Sequence, residues 1–131
     1  VRHILGNLID NAIRYAWKAP EVASQEKRER NRISIRFYDQ GSNVRVELED
    51  NGVGIPEQDQ KFIFQKFFRS SNAVRRQTEG SGLGLFIVKS LLEKAGGQIG
   101  FKSEENKGST FWFTLPYGTN THKKITQPVQ R

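Results

Sequence analysis

Two pairs of alternating segments, each pair joined by a short polar turn, constrain this chain more than any other feature. "RISIRFYD" (Arg32–Asp39) sets Ile33, Ile35 and Phe37 against polar neighbours, and "VRVELED" (Val44–Asp50) alternates again after the turn "QGSN". "QIGFKSE" and "STFWFTLP" repeat the arrangement near the C-terminus. A period of two marks a half-buried strand. Turns this short close antiparallel pairs, because a parallel pair needs a crossover of about a dozen residues or more. Helical patterns surround the strands. Val1–Trp17 carries a broad apolar face of Ile4, Leu5, Leu8, Ile9, Ala12 and Ile13. His3, Asn7, Asn11, Arg14 and Lys18 recur on the opposite stripe, and Pro20 ends the pattern. "EQDQKFIFQKFFR" is expected as a short helix. Leu83–Ala95 is expected as another, with Ile87, Val88, Leu91 and Leu92 inward and Gly96 and Gly97 stopping it. The order predicts an α+β fold: a two-layer α/β sandwich whose mostly antiparallel sheet has helices on one face.

The length of 131 residues suits one domain, and nine phenylalanines and two tryptophans supply a core although hydrophobic residues make up only 35%. The absence of cysteine excludes disulfides and thiolate metal sites, which fits a reducing, cytoplasmic setting. No apolar run reaches the roughly 20 residues of a membrane span, and no signal-peptide pattern opens the chain. The first residues, "VRHILGNLIDNAIRYA", read as already helical, so a domain of a longer, separately anchored protein is expected. Net charge is +7. In "EKRERNR" acids interleave with the bases and no aromatic alternates with them, so a solvated surface is expected rather than a nucleic-acid interface. Glu21–Arg32 is a polar connection to which the sequence assigns no role. Ser70–Glu79 reads as a flexible loop, and Gly118–Arg131 as a disordered tail after a domain spanning 1–117.

Three stretches carry possible chemistry. In "GSGLGL" the glycines Gly80, Gly82 and Gly84 alternate with Ser81 and Leu83, before Leu85 and a helix. Glycine permits close backbone approach, and successive N–H groups at a helix start favour an anion. The spacing is neither the dinucleotide fingerprint nor the P-loop, and a plain flexible turn would look the same. In "EDNGVGIP", Asp50 ends a strand that heads into the core, with Gly52 and Gly54 beside it. A carboxylate there needs donors. It suits the exocyclic amine of adenine and repels the carbonyl of guanine, and it also suits a turn cap. Asn7 and Asn11 stand at i and i+4, where carboxamide oxygens can ligate Mg²⁺ and N–H₂ groups can meet phosphate. Arg14 follows one turn on, as a phosphate partner or an ion pair with Asp10.

The four stretches "NLIDNAIRYA", "EDNGVGIP", "FIFQKFFR" and "GSGLGLFIVK", in that order, resemble the N, G1, F and G2 boxes of the ATP-binding catalytic domain of two-component sensor histidine kinases. The resemblance covers about Val1 to Pro116. It implies the Bergerat fold, a mixed sheet backed by about three helices, with ATP and Mg²⁺ as cofactors. It implies Asn11 as the metal-binding asparagine, Asn7 near the phosphates, Arg14 where lysine is frequent, and Tyr15 beside the nucleotide. Asp50 matches the adenine-reading aspartate, Gly54 and Ile55 match the floor of its pocket, and Gly52 is expected among the ATP-binding residues. Phe64, Phe67 and Phe68 match aromatics that pack the lid or a partner. Ser70–Glu79 matches the lid, with Arg75 or Arg76 reaching the γ-phosphate, and Gly80, Ser81, Gly82, Leu83, Gly84 and Leu85 cradle phosphate. Thr110 matches a hydroxyl near the adenine pocket. The partners implied are a dimerisation and phosphoacceptor helical domain of the same protein and, indirectly, a response regulator, with no membrane contact by this domain.

The fold implied also serves ATPases, where the N box resembles E-x-x-x-N and the glutamate activates water. Here that position is Asn7, and an amide cannot take the proton. Slow water attack leaves the γ-phosphoryl for another acceptor, which favours a kinase over an ATPase or a nucleotide-sensing interaction module. The chain has only His3, within the nucleotide helix, and His122, in the tail. The acceptor histidine is therefore expected elsewhere.

Overall fold

The computed structural model describes residues 2–16, 30–69 and 83–117. The expected tail 118–131, the connection 17–29 and the expected lid 70–79 lie outside the described residues, as do Arg75, Arg76, Gly80, Ser81 and Gly82.

Helix α1 spans Arg2–Arg14. Strands β1 (Ile33–Asp39) and β2 (Asn43–Asp50) form the first hairpin. A 3-10 turn follows over Glu57–Phe62. Helix α2 spans Gly84–Lys94, and strands β3 (Gln98–Glu104) and β4 (Gly108–Pro116) form the second hairpin. The hairpins join through β2 and β4, giving one sheet in the order β1-β2-β4-β3, antiparallel at every described ladder. Both helices pack on one face, α1 against β2 and α2 against β3 and β4, as well as against each other. This is the α+β sandwich that the alternating pattern requires.

The core lies between the layers. Ile4, Leu8 and Ala12 of α1 and Val88 and Leu92 of α2 meet Val46 and Leu48 of β2 and Phe111 and Phe113 of β4. Burying each of the larger side chains is worth about 1.5–3 kcal/mol. Both helices differ from the sequence pattern at their flanks. Ile13 is 59% exposed, and Ile87 and Leu91 are 40% and 36% exposed, although all three belong to apolar stripes. Ile87 and Leu91 stand one residue, or about 100°, before Val88 and Leu92. The sheet covers only the latter pair.

Strand β1 alternates as expected, with Ile33, Ile35 and Phe37 opposite Asp50, Leu48 and Val46 on the helix side of the sheet. All three nevertheless remain exposed. The cause is position: β1 is the edge strand, and α1 lies over β2. The segment Glu57–Arg69 is not the continuous helix expected. Phe62 and Phe68 bring their ring centroids to 5.7 Å, which an α-helix rising 1.5 Å per residue cannot do for residues six apart. The chain instead leaves the 3-10 turn at Ile63, which is buried, and Phe67 takes a positive φ of 66°.

Gly6 lies inside α1 on its exposed side, and a methyl group added there meets nothing within 4 Å. Glycine in a helix interior costs about 0.5–1 kcal/mol relative to alanine. Gly6→Ala is therefore expected to raise the urea midpoint by that much stability with an unchanged m-value. A destabilised variant would show that the residue serves something other than the helix.

Candidate functional site

Alternation along β2 points Val46, Leu48 and Asp50 to the same, inner face, so the strand ends on a carboxylate only 7% exposed. The chain must turn at once, and the turn is built around that carboxylate. The Gly52 amide donates to Asp50 Oδ1 at 2.9 Å. The Val53 amide donates to the Tyr15 carbonyl at 2.8 Å, docking the turn on the end of α1. From the other side the Asn106 amide donates to the Val53 carbonyl at 2.6 Å. The turn is thus threaded between α1 and the β3–β4 connection. Its glycines are steric requirements. A Cβ on Gly52 would lie 2.3 Å from the Tyr15 carbonyl oxygen, and one on Gly54, at φ +70°, would lie 2.1 Å from that of Glu104.

Ile55, buried beneath this turn, donates its amide to Ser103 Oγ at 2.8 Å. Gln60 Nε2 donates at 3.0 Å to both the Ile55 and the Ser103 carbonyls. Ser103 Oγ also lies 2.7 Å from Ser109 Oγ, and Ser109 is the register partner of Asp50. On the outer side Asn51 Oδ1 accepts from the Arg32 amide at 2.7 Å, and Asn51 Nδ2 donates to the Arg30 carbonyl at 2.8 Å. Burial pushes the Asp50 carboxyl above its ordinary pKa. The backbone amides of Gly52 and Ser109 pull it part of the way back, and the nearby Glu49 charge adds a little to the rise.

A second cluster forms where α1 crosses the start of α2. A methyl group on Gly84 would stand 3.7 Å from Asn7 Oδ1, so this carboxamide faces the first residue of α2. The N-cap of α2 is Leu83, and no side chain among the described residues caps that helix end. Its first N–H groups and positive end favour an anion. Separately, Arg69 carries a buried guanidinium nitrogen with no hydrogen-bond partner among the described residues. Asn7 and Tyr15 are eight residues apart along α1, about 12 Å of helix axis. A ligand with a donor-rich group at one end and negative charge at the other fits that span.

The sequence reading therefore divides. Tyr15 (through its carbonyl), Asp50, Gly52, Gly54 and Ile55 come together, and Asn7, Leu83 and Gly84 form the second cluster. Asn11, one turn beyond Asn7, is half-buried between them. Arg14 is exposed at the end of α1, with no ion pair to Asp10 among the described residues. Leu85 packs on the core. Phe64 also belongs to the core's edge, edge-on to Phe101 with Lys89 Nζ 5.6 Å from its ring, so it is not an open aromatic.

Thr110 needs a correction. It pairs with Glu49 and Lys102 on the outer face of the sheet, away from Asp50. The hydroxyl beside Asp50 is that of Ser109. Strict alternation with the inward Phe111 and Phe113 contained this signal. Ser103, Gln60, Asn51 and Arg69 carried no comparable sequence signal.

The raised Asp50 pKa has a consequence for stability. The folded chain holds this proton more tightly than the unfolded one, so the charged carboxyl destabilises the fold above its folded-state pKa, and the penalty is relieved as pH falls through it. Asp50→Asn is expected to melt higher than the wild type near pH 7, with the gap narrowing on acidification. Thermal melts from pH 7 to pH 4 (about the ordinary carboxylate range) check this, and a gap that widens on acidification would contradict the burial argument.

Residues 1–119 match the family described as histidine kinase-, DNA gyrase B- and HSP90-like ATPase. The signal transduction histidine-protein kinase BarA of Escherichia coli (strain K12) is 34% identical over 128 residues, 98% of this chain and 13% of BarA. The chain thus spans about an eighth of that relative. Among solved structures, the mycobacterial sensor histidine kinase MprB superposes with a TM-score of 0.69 at 29% identity, covering 87% of this chain and 70% of that one. Full-length ShkA, solved in complex with AMPPNP, superposes at 0.64 with 29% identity, over 90% of this chain and 21% of ShkA. The buried carboxylate, its glycine turn and the anion-ready helix start stand within a match that spans nearly the whole chain. The chain belongs to the histidine kinase-, DNA gyrase B- and HSP90-like ATPase family, as a catalytic domain of the kind that sensor histidine kinases carry.

Proposed function

We propose that this domain binds Mg²⁺–ATP and passes the γ-phosphoryl group to a histidine on a separate dimerisation and phosphoacceptor helical domain, from which it reaches a response regulator. The observation that carries the reading is the pairing of two sites along one helix. The Asp50 turn sits at the C-terminal end of α1, and Asn7, near the middle of the same helix, faces the first residue of α2. The buried Asp50 carboxylate reads the adenine amine, with Ile55 as floor. The α2 N-terminus, Asn7 and Arg14 meet the phosphates.

Asn11 offers its carboxamide oxygen to the metal. The described residues hold no cluster of three or more His, Cys, Asp or Glu side chains, which suits Mg²⁺ held mainly by water and phosphate oxygens. Bound Mg²⁺ supplies charge neutralisation on the transferring phosphoryl group. The acceptor imidazole nitrogen bonds to the γ-phosphorus as the bond to the ADP oxygen breaks, and ADP leaves. With Asn7 in place of a carboxylate, nothing on this helix draws a proton from water at that position, so transfer is favoured over hydrolysis.

Phe67, 64% exposed, and the Ile87–Leu91 pair offer the helical partner an apolar surface. Lys66 Nζ, 5.6 Å from the rings of both Phe67 and Phe86, adds positive charge beside it.

The test supplies a histidine-bearing helical hairpin in trans with Mg²⁺ and ATP. Phosphohistidine is expected on the hairpin. Asn11→Ala is expected to lower its rate on the order of a hundredfold and to weaken Mg²⁺–ATP more than metal-free ADP. ATP binding without transfer would make the domain a nucleotide sensor, and equal losses for the two nucleotides would make Asn11 structural.

A further inference from the structure

Ser103 has more partners than a hydroxyl can satisfy in more than one way. Its Oγ receives the Ile55 amide at 2.8 Å, lies 3.2 Å from the Gly108 carbonyl and 2.7 Å from Ser109 Oγ. A hydroxyl has one proton and two acceptor positions. The Ile55 N–H can only donate, so it takes one acceptor position. The Gly108 carbonyl can only accept, so it takes the proton. The Ser109 contact is then made only if Ser109 donates to Ser103. All three contacts are satisfied together in this single arrangement: Ser109 O–H to Ser103 Oγ, and Ser103 O–H to the Gly108 carbonyl. Ser109 is 8% exposed and stands beside Asp50. In that arrangement the Ser109 proton is committed, which leaves its Oγ as an acceptor on the same face of the sheet as Asp50.

We propose that Ser103 is a positioning residue that fixes Ser109 as a hydrogen-bond acceptor next to Asp50, and so sharpens selection for a base bearing an exocyclic amine. This rests on the nucleotide-binding reading above. Two neighbouring acceptors, the Asp50 carboxylate and the Ser109 oxygen, match the two N–H bonds of an amine. A base with a carbonyl at that position meets two acceptors and no donor. Removing the Ser103 hydroxyl frees the Ser109 proton to turn toward such a carbonyl. Ser103 touches no base itself; it acts through Ser109 and, by the Ile55 amide, through the pocket floor.

The experiment measures ATP and ITP affinity by calorimetry without metal, on the full chain, for the wild type and for Ser103→Ala, Ser103→Thr and Ser109→Ala. ITP carries a carbonyl where ATP carries the amine. The wild type is expected to prefer ATP. Ser103→Ala is expected to narrow the preference about tenfold, the worth of one hydrogen bond, while Ser103→Thr keeps it. Ser109→Ala, which leaves the Ile55 contact intact, is expected to narrow it as well and serves if Ser103→Ala does not fold. A merely structural Ser103 would weaken both nucleotides by the same factor. That result, or an unchanged preference in Ser109→Ala, overturns the inference while leaving the nucleotide reading standing. A wild type that binds neither nucleotide overturns both.

Discussion

A single buried carboxylate organises the molecule. Asp50 ends β2 on the inner face, where an unpaired charge would be costly, and the surrounding chain is arranged to hold it. Backbone amides of Gly52 and Ser109 face it from two directions, yet burial still dominates its titration. The turn that supplies the first amide is then fixed from outside by the Tyr15 carbonyl and the Asn106 amide. Each contact needs a close approach that no side chain at Gly52 or Gly54 would permit. The end of α1, the β3–β4 connection and the end of β2 therefore meet at one place because the carboxylate is there. A buried charge of this kind subtracts from stability.

Helix α1 carries this geometry across the domain. Ile4, Leu8 and Ala12 anchor it on the sheet, and the same helix presents Asn7 to the start of α2 and Tyr15 to the Asp50 turn. The spacing between the two half-sites is set by helical rise, not by loops. Packing of α1 against α2 therefore fixes the relation between the Asp50 turn and the start of α2. A rigid scaffold of that type is what a catalytic domain requires to place a reactive phosphoryl group.

Much of the apolar surface that the core leaves uncovered among the described residues falls in two groups. Ile33, Ile35 and Phe37 lie on the inner side of the edge strand, and Phe67, Ile87 and Leu91 lie near the start and along one side of α2. The second group stands beside the basic Lys66, whose Nζ lies 5.6 Å from the rings of both Phe67 and Phe86. The outer face of the sheet is different in kind. Arg36 pairs with Glu49 and Arg45 with Glu47, and Arg45 stacks at 4.3 Å on Trp112. Such exposed or half-exposed pairs add little stability and keep that face polar.

The sequence by itself determined the antiparallel hairpins, the two amphipathic helices and the carboxylate at a strand end, because periods of two and 3.6 are local properties. It also determined that Asn7 cannot act as a base, since that depends on side-chain chemistry alone. Tertiary structure decided what depends on neighbours distant along the chain. Whether Ile33, Ile87 or Ile13 is buried follows from where the helices lie on the sheet, not from the alternation that marks the residues as apolar. The segment Glu57–Arg69 reads as helical, but contacts among Phe62, Phe68 and the core break it after one 3-10 turn. The hydroxyl beside Asp50 is Ser109 and not Thr110, because cross-strand register selects the face. Ser103 meets Ile55 and Gln60 across more than forty residues of chain, a partnership that exists only once the second hairpin has closed over the first.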